Sequence, residues 1–211
     1  LGIEAWIKML NKTNNIKNIL YYIMNKNEEN KIKKILKFGK SLVGTKRNES
    51  WKTYKIGTNK GPWWISDDKL PSKKEIKQSG TDCGGLANLM RRFSGLSVTE
   101  TDGTGGWFDY LKKKKRLKKF DYKKSYPIGT LLLRDYNKID SGHVAIIYEE
   151  NKKGVLFSKL LHSVGWNDGT GKKGVKIDAS VGQSYFFQYN GTTNTGHYTH
   201  ICLPKNWLLK E

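Results

Sequence analysis

Cysteine occurs only twice in the 211 residues, at Cys83 and Cys202, while proline and histidine occur four times each and arginine five times. Two cysteines build neither the bridge framework of a small secreted domain nor a four-cysteine zinc site. Their contexts also differ: Cys83 sits in a glycine-rich turn, whereas Cys202 lies in an apolar, alternating stretch, Thr199 to Leu203, where a buried and inert thiol is the ordinary reading. Both are read as reduced. No apolar run approaches the roughly 18 residues of a membrane-spanning helix, so no transmembrane segment is expected. The stretch Ile19 to Met24 is too short for a secretory core and lacks a small-residue cleavage pattern after it.

Acidic residues are scarce too, 19 against 39 basic ones, and the formal net charge is +20. A charge of that size favours contact with a polyanion. The basic residues are 34 Lys and only 5 Arg, and sequence-specific DNA readers lean on arginine for bidentate base contacts, so nucleic acid is an unlikely partner. With 16 Asn, the lysine excess also reads as the imprint of an AT-rich genome.

What is present divides into helices first and strands after, which is the signature of an α+β domain. Residues 1 to about 43 read as helical segments, with an Asn-rich break at Asn25 to Asn30. Ile32, Ile35, Leu36, Leu42 and Val43 recur at helical spacing, and Gly44 stands where a C-terminal cap belongs. Thr45 to Gly80 is expected to be irregular, an aromatic-rich loop carrying Trp51, Tyr54, Trp63 and Trp64. A helix is expected from Cys83 to about Phe93, with Leu86, Leu89, Met90 and Phe93 on one buried face. The run Lys112 to Lys119 reads as an anion-binding surface or equally as a solvated loop or helix face. From Pro127 the period becomes two, predicting strands over 130–134, 143–148, 155–161, 174–177, 185–189 and 198–203 in an antiparallel meander. Residues 1–30 are assigned to a helical appendage and 31–211 to a catalytic domain.

The chemistry falls where the two halves meet. In Gly80-Thr81-Asp82-Cys83-Gly84-Gly85-Leu86 a cysteine opens a helix behind Asp82, a residue able to cap it. The unpaired N–H groups of a helix N-terminus favour thiolate over thiol, and they also bind the oxyanion of a tetrahedral intermediate. A nucleophilic cysteine needs a base within hydrogen-bond reach. His143 opens the apolar strand His143 to Tyr148, and His162, 19 residues later, is placed to orient its ring from a neighbouring strand. Against this, a lone cysteine is more often a small core residue and a lone strand histidine merely a satisfied one.

Asp82-Cys83-Gly84-Gly85-Leu86 resembles the Asp-Cys-Ser-Gly signature of the NlpC/P60 superfamily, and Gly142-His143-Val144-Ala145-Ile146 resembles that family's histidine strand. Tyr126 to Leu132 is similar to its Pro-Gly-Asp-Leu-Val segment, Leu161-His162-Ser163 to its Ile-His-Ala segment, and Leu36 to Thr45 with Tyr54 to Gly57 to its helix and tyrosine motif. The five segments stand in the family's order over about residues 32 to 178. The resemblance implies a papain-like fold with N-terminal helices on a six-stranded, mainly antiparallel sheet. It further implies a cysteine peptidase or amidase that cleaves peptidoglycan stem peptides without metal or cofactor, in a secreted, wall-associated or virion-associated setting. Cys83 would attack, His143 would serve as base and His162 would orient it. Tyr54 would stand near the oxyanion, with Trp51 as a rival; Asp82, Trp63 and Trp64 are read as substrate-binding, although loop aromatics more commonly plug a core. The chain departs from the pattern at Gly84 (Ser, read as a mild change), at Thr130 (Asp) and in the longer interval before Tyr54. CHAP amidases differ in the residues around the cysteine, and acyltransferases resembling lecithin:retinol acyltransferase place histidine before cysteine. The alternative to an enzyme is a virion or accessory binding protein that keeps the fold and uses its basic surface.

Overall fold

The computed structural model describes residues 25–47, 70–97, 103–134, 142–164, 173–178, 180–181 and 198–209. They form an α+β arrangement in which helices cover one face of a six-stranded sheet. Helix α1 occupies residues 25–41, α2 Lys73–Ser79, α3 Cys83–Phe93 and α4 Gly103–Lys113. The strands are β1 Lys118–Lys119, β2 Leu131–Arg134, β3 His143–Glu149, β4 Lys159–Val164, β5 Gly174–Asp178 and β6 His200–Cys202. Every pairing is antiparallel and the order is β1-β6-β2-β3-β4-β5, a meander from β2 to β5 with β6 returning on the outer side of β2. No helix among the described residues is long and apolar enough to cross a membrane.

Alternation along the strands generates two cores. Leu131, Leu133, Val144, Ile146, Leu161, Val175 and Cys202 meet Leu86, Leu89, Met90, Trp107 and Leu111 on the helical face. Leu132, Ala145, Ile147, Leu160 and Ile201 point the other way and pack with Tyr126, Val155, Val181 and Tyr198. Helix α3 is central: everything from Cys83 to Arg92 is buried, so its cap is buried as well. Each large aliphatic side chain sunk here stabilises the fold by about 1.5–3 kcal/mol relative to exposure. Helix α1 packs across α3 through a stacked Phe38–Phe93 pair, with ring centroids 4.2 Å apart.

Several expectations are corrected. Asn25 to Asn30 do not break the helix but lie within α1, because this part of it lies mostly in solvent and needs no apolar period. The helix therefore runs unbroken across the 30/31 division drawn from the sequence. Thr45 to Gly80 is not wholly irregular. Ser72 and Glu75 form a reciprocal capping box that starts α2, and Gly80, at φ 81°, ends it. Residues 155–157 form a 3-10 turn held by Val155 N–H donating to Lys124 O at 2.9 Å, so β4 begins only at Lys159. The segment 185–189 lies outside the described residues, and the sixth strand is instead β1, a two-residue edge.

The lysine run resolves into three pieces: the end of α4, a turn at Lys114 and Lys115, and the edge strand β1. Among the described residues, its six lysines form no ion pair. Lysines on an edge strand discourage further strands from adding to the sheet. Lys115 has φ 54°, the left-handed conformation of a helix C-terminal cap, with Arg116 N–H donating to Leu111 O and Lys115 N–H to Lys112 O, both at 2.9 Å. A side chain there carries a steric cost that glycine avoids. Lys115→Gly is therefore expected to raise stability by about 0.5–1 kcal/mol once the freer unfolded chain is discounted. A chemical-denaturation midpoint that stays the same or falls would contradict this.

Candidate active site

Asp82 accepts from Gly85 N–H at 2.6 Å, setting the first turn of α3 and fixing Cys83 as its first residue. Asp82 is thus placed as a buried helix cap. Cys83 is 5% exposed, and its Sγ lies 3.6 Å from Thr104 Oγ1 in the first turn of α4. The two helices come this close because the residue after the nucleophile is glycine: a Cβ on Gly84 would stand 3.0 Å from the backbone of Gly103. The departure from Ser at this position is therefore not mild in this fold. Trp107 Nε1 donates to Gly84 O at 3.1 Å and locks the crossing. Thr104 also crowds Gly142, the residue before β3: a Cβ there would meet its Cγ2 at 2.8 Å. On the other side, Ser163 Oγ donates to Thr81 O at 2.7 Å and ties β4 to the approach to Cys83.

The histidines are joined directly. His143 Nε2 and His162 Nδ1 are 3.0 Å apart, with the rings at 71°, and both residues are about 1% exposed. His162 Nε2 lies 2.9 Å from Asp178 Oδ2, and Asp178 Oδ1 lies 3.0 Å from Lys176 Nζ. In the β4–β5 register His162 faces Lys176 and Leu160 faces Asp178, so Asp178 reaches His162 as a diagonal neighbour on the same face.

Among the described residues the thiol of Cys83 contacts Thr104 and not the expected His143. Val144 and Leu161 pack on the helical face, while His143 and His162 share the face of Ala145, Ile147 and Leu160. The ring of Tyr198, on that second face, lies 6.4 Å from that of His143. His143 is the terminal residue of β3, next to the glycine that touches Thr104. Thiol and imidazole therefore approach one end of β3 from two sides.

Burial drives the His143 imidazolium well below the ordinary histidine range, and the charges of His162, Arg47, Arg134 and Lys176 push in the same direction. His143 is neutral at pH 7. Burial alone would raise the Asp178 carboxyl, but hydrogen bonds and charges from His162 and Lys176 outweigh it and hold the group below its usual value. The sign for stability follows. Between the folded pKa of His143 and its unfolded value near 6.5, the unfolded chain binds the extra proton, so stability is present above about 6.5 and drains as pH falls. Acidification below pH 6.5 is expected to remove up to about 1.4 kcal/mol per pH unit through this group, as read by denaturant titrations. A slope unchanged in His143→Gln would assign the loss elsewhere.

Asp178 was not expected from the sequence. Its signal was the alternation of Val175 and Ile177 inward with Lys176 and Asp178 at the alternate positions, which aligns two charged residues with the polar side of His162. Tyr54, Trp51, Trp63 and Trp64 lie outside the described residues. Among the described residues, no group of three or more His, Cys, Asp or Glu side chains is arranged to hold a metal ion. No protein-family model matches the chain, no curated protein matches it, and no solved structure matches it.

Proposed function

We propose that the chain is a cysteine hydrolase that cleaves an amide bond, with peptidoglycan stem peptides as its substrate class. The observation that carries this reading is the chain Asp178, His162, His143, whose two histidines are buried and which ends beside the glycine next to Thr104, the contact of the thiol that opens α3. A network of this kind is costly to bury unless its members satisfy one another, and it delivers a neutral imidazole as base. In turnover, Cys83 Sγ leaves Thr104 and attacks the carbonyl carbon while His143 takes the thiol proton. The C–N bond breaks as that proton passes to the departing amine, leaving a thioester. Water, deprotonated by His143, then releases the acid and restores the thiol. Catalytic contacts of this type are commonly loose in free enzymes and tighten around substrate.

The competing reading, a binding protein with an idle site, is favoured by the Cys83–Thr104 contact and by the lysines of 112–119 that carry no ion pair among the described residues. Alkylation separates the two. Burial pushes the Cys202 thiol up to about 12, so iodoacetamide at neutral pH is expected to spare it. Cys83 is expected to be modified first, with parallel loss of the fragments released from purified murein, identified by mass. Equal labelling of the two cysteines, or murein left intact by the unmodified protein, would support the binding protein.

A further inference from the structure

We propose that Asp178 is a positioning residue that sets the tautomers of both buried histidines, so that His143 turns an unprotonated Nδ1 to the reaction; this role rests on the hydrolase reading above. A carboxylate only accepts hydrogen bonds. Asp178 Oδ2 lies 2.9 Å from His162 Nε2 in an ion-pair contact, and we place the hydrogen on that nitrogen. With His162 carrying that one hydrogen, its other nitrogen, Nδ1, holds a lone pair. It lies 3.0 Å from His143 Nε2, which must therefore be the donor. A neutral His143 protonated at Nε2 has its lone pair on Nδ1, the nitrogen that would receive the thiol proton. One carboxylate thereby fixes two rings in series. Lys176, 3.0 Å from the other oxygen, holds the carboxylate in place and helps keep it ionised. The charged groups acting on His143 are Arg47, Arg134 and Lys176, and all of them disfavour its imidazolium.

The order of donors is read directly by long-range proton–nitrogen spectra of the histidine rings in the nitrogen-15-labelled protein at pH 7. Both His143 and His162 are expected as the Nε2–H form. In Asp178→Asn the side chain offers a donor as well as an acceptor, so the Nε2–H preference of both rings is expected to weaken. kcat/KM on murein peptides is expected to fall about tenfold to a hundredfold, as for other residues that orient a catalytic ligand, with KM little changed and the acid limb of the pH profile displaced. A native His143 protonated at Nδ1, or ring spectra identical in Asp178→Asn, overturns the proposal even if the protein cleaves murein. Should the variant not fold, the native spectrum decides alone. Correct tautomers in a protein that cleaves nothing would instead remove the hydrolase reading and leave the relay standing.

Discussion

His143→Ala is expected to lower kcat/KM for amide hydrolysis by about 10²–10⁴-fold, the usual contribution of a positioned general base, and Cys83→Ala to remove the covalent route altogether. The double variant is expected to be no worse than Cys83→Ala, because residues that act as one unit lose their effect together. The reason is structural. His143 is buried, neutral and hydrogen-bonded through Nε2 to His162, which holds its ring in one orientation. Retention of near-native rates in His143→Ala, measured on stem-peptide fragments, would sink the assignment of the base. Loss of the fold is the competing explanation, so the variant's denaturation midpoint belongs beside its rate.

Gly174→Ala is expected to destabilise the protein by roughly 3 kcal/mol, toward the upper end of single-site effects. Gly174 opens β5 at φ 123°, a conformation that side chains rarely adopt, and a Cβ there would collide with the backbone carbonyl of Thr45. The collision has no cheap escape. Val175 N–H donates to Thr45 O at 2.8 Å and Gly44 N–H donates to Val175 O at 2.9 Å, so moving Thr45 breaks both bonds. Arg47, on the same strap, donates to Ser163 O at 2.9 Å, beside His162. The damage is thus expected to spread to the site and lower activity as well as the unfolding midpoint. A variant within 1 kcal/mol of the native protein would show that the strap relaxes freely.

The elements most legible in the sequence were those with a local cause. Helix α3 begins at Cys83 and ends at Phe93 as expected, because Asp82 supplies a cap and Leu86, Leu89 and Met90 recur on one face. Strands β2, β3 and β5 follow from period-two apolar runs, with ends shifted by a residue. Helix α4 was missed because three of its first four residues are glycine, which opposes helix by about 1 kcal/mol each; tertiary contacts override that penalty through Trp107, fully buried and edge-on to Trp207 at 5.6 Å. Helix α2 was missed because only Ile76 is buried in it, and a single residue has no period. At the site, the pairing of His143 with His162 was readable from order and spacing. Two facts depend instead on how elements pack, so no local pattern announces them: Thr104 lies between the thiol and β3, and Asp178 completes the chain behind His162.

The absent side chain at position 84 works as a spacer for chemistry one helix away. With hydrogen in place of carbon there, the backbone of Gly103 settles at contact distance, and the next residue brings its hydroxyl to the sulfur. Any bulk added beside the nucleophile would lever the start of α4 outward and carry that hydroxyl off with it. The interval between two backbones thereby sets what the thiol touches at rest.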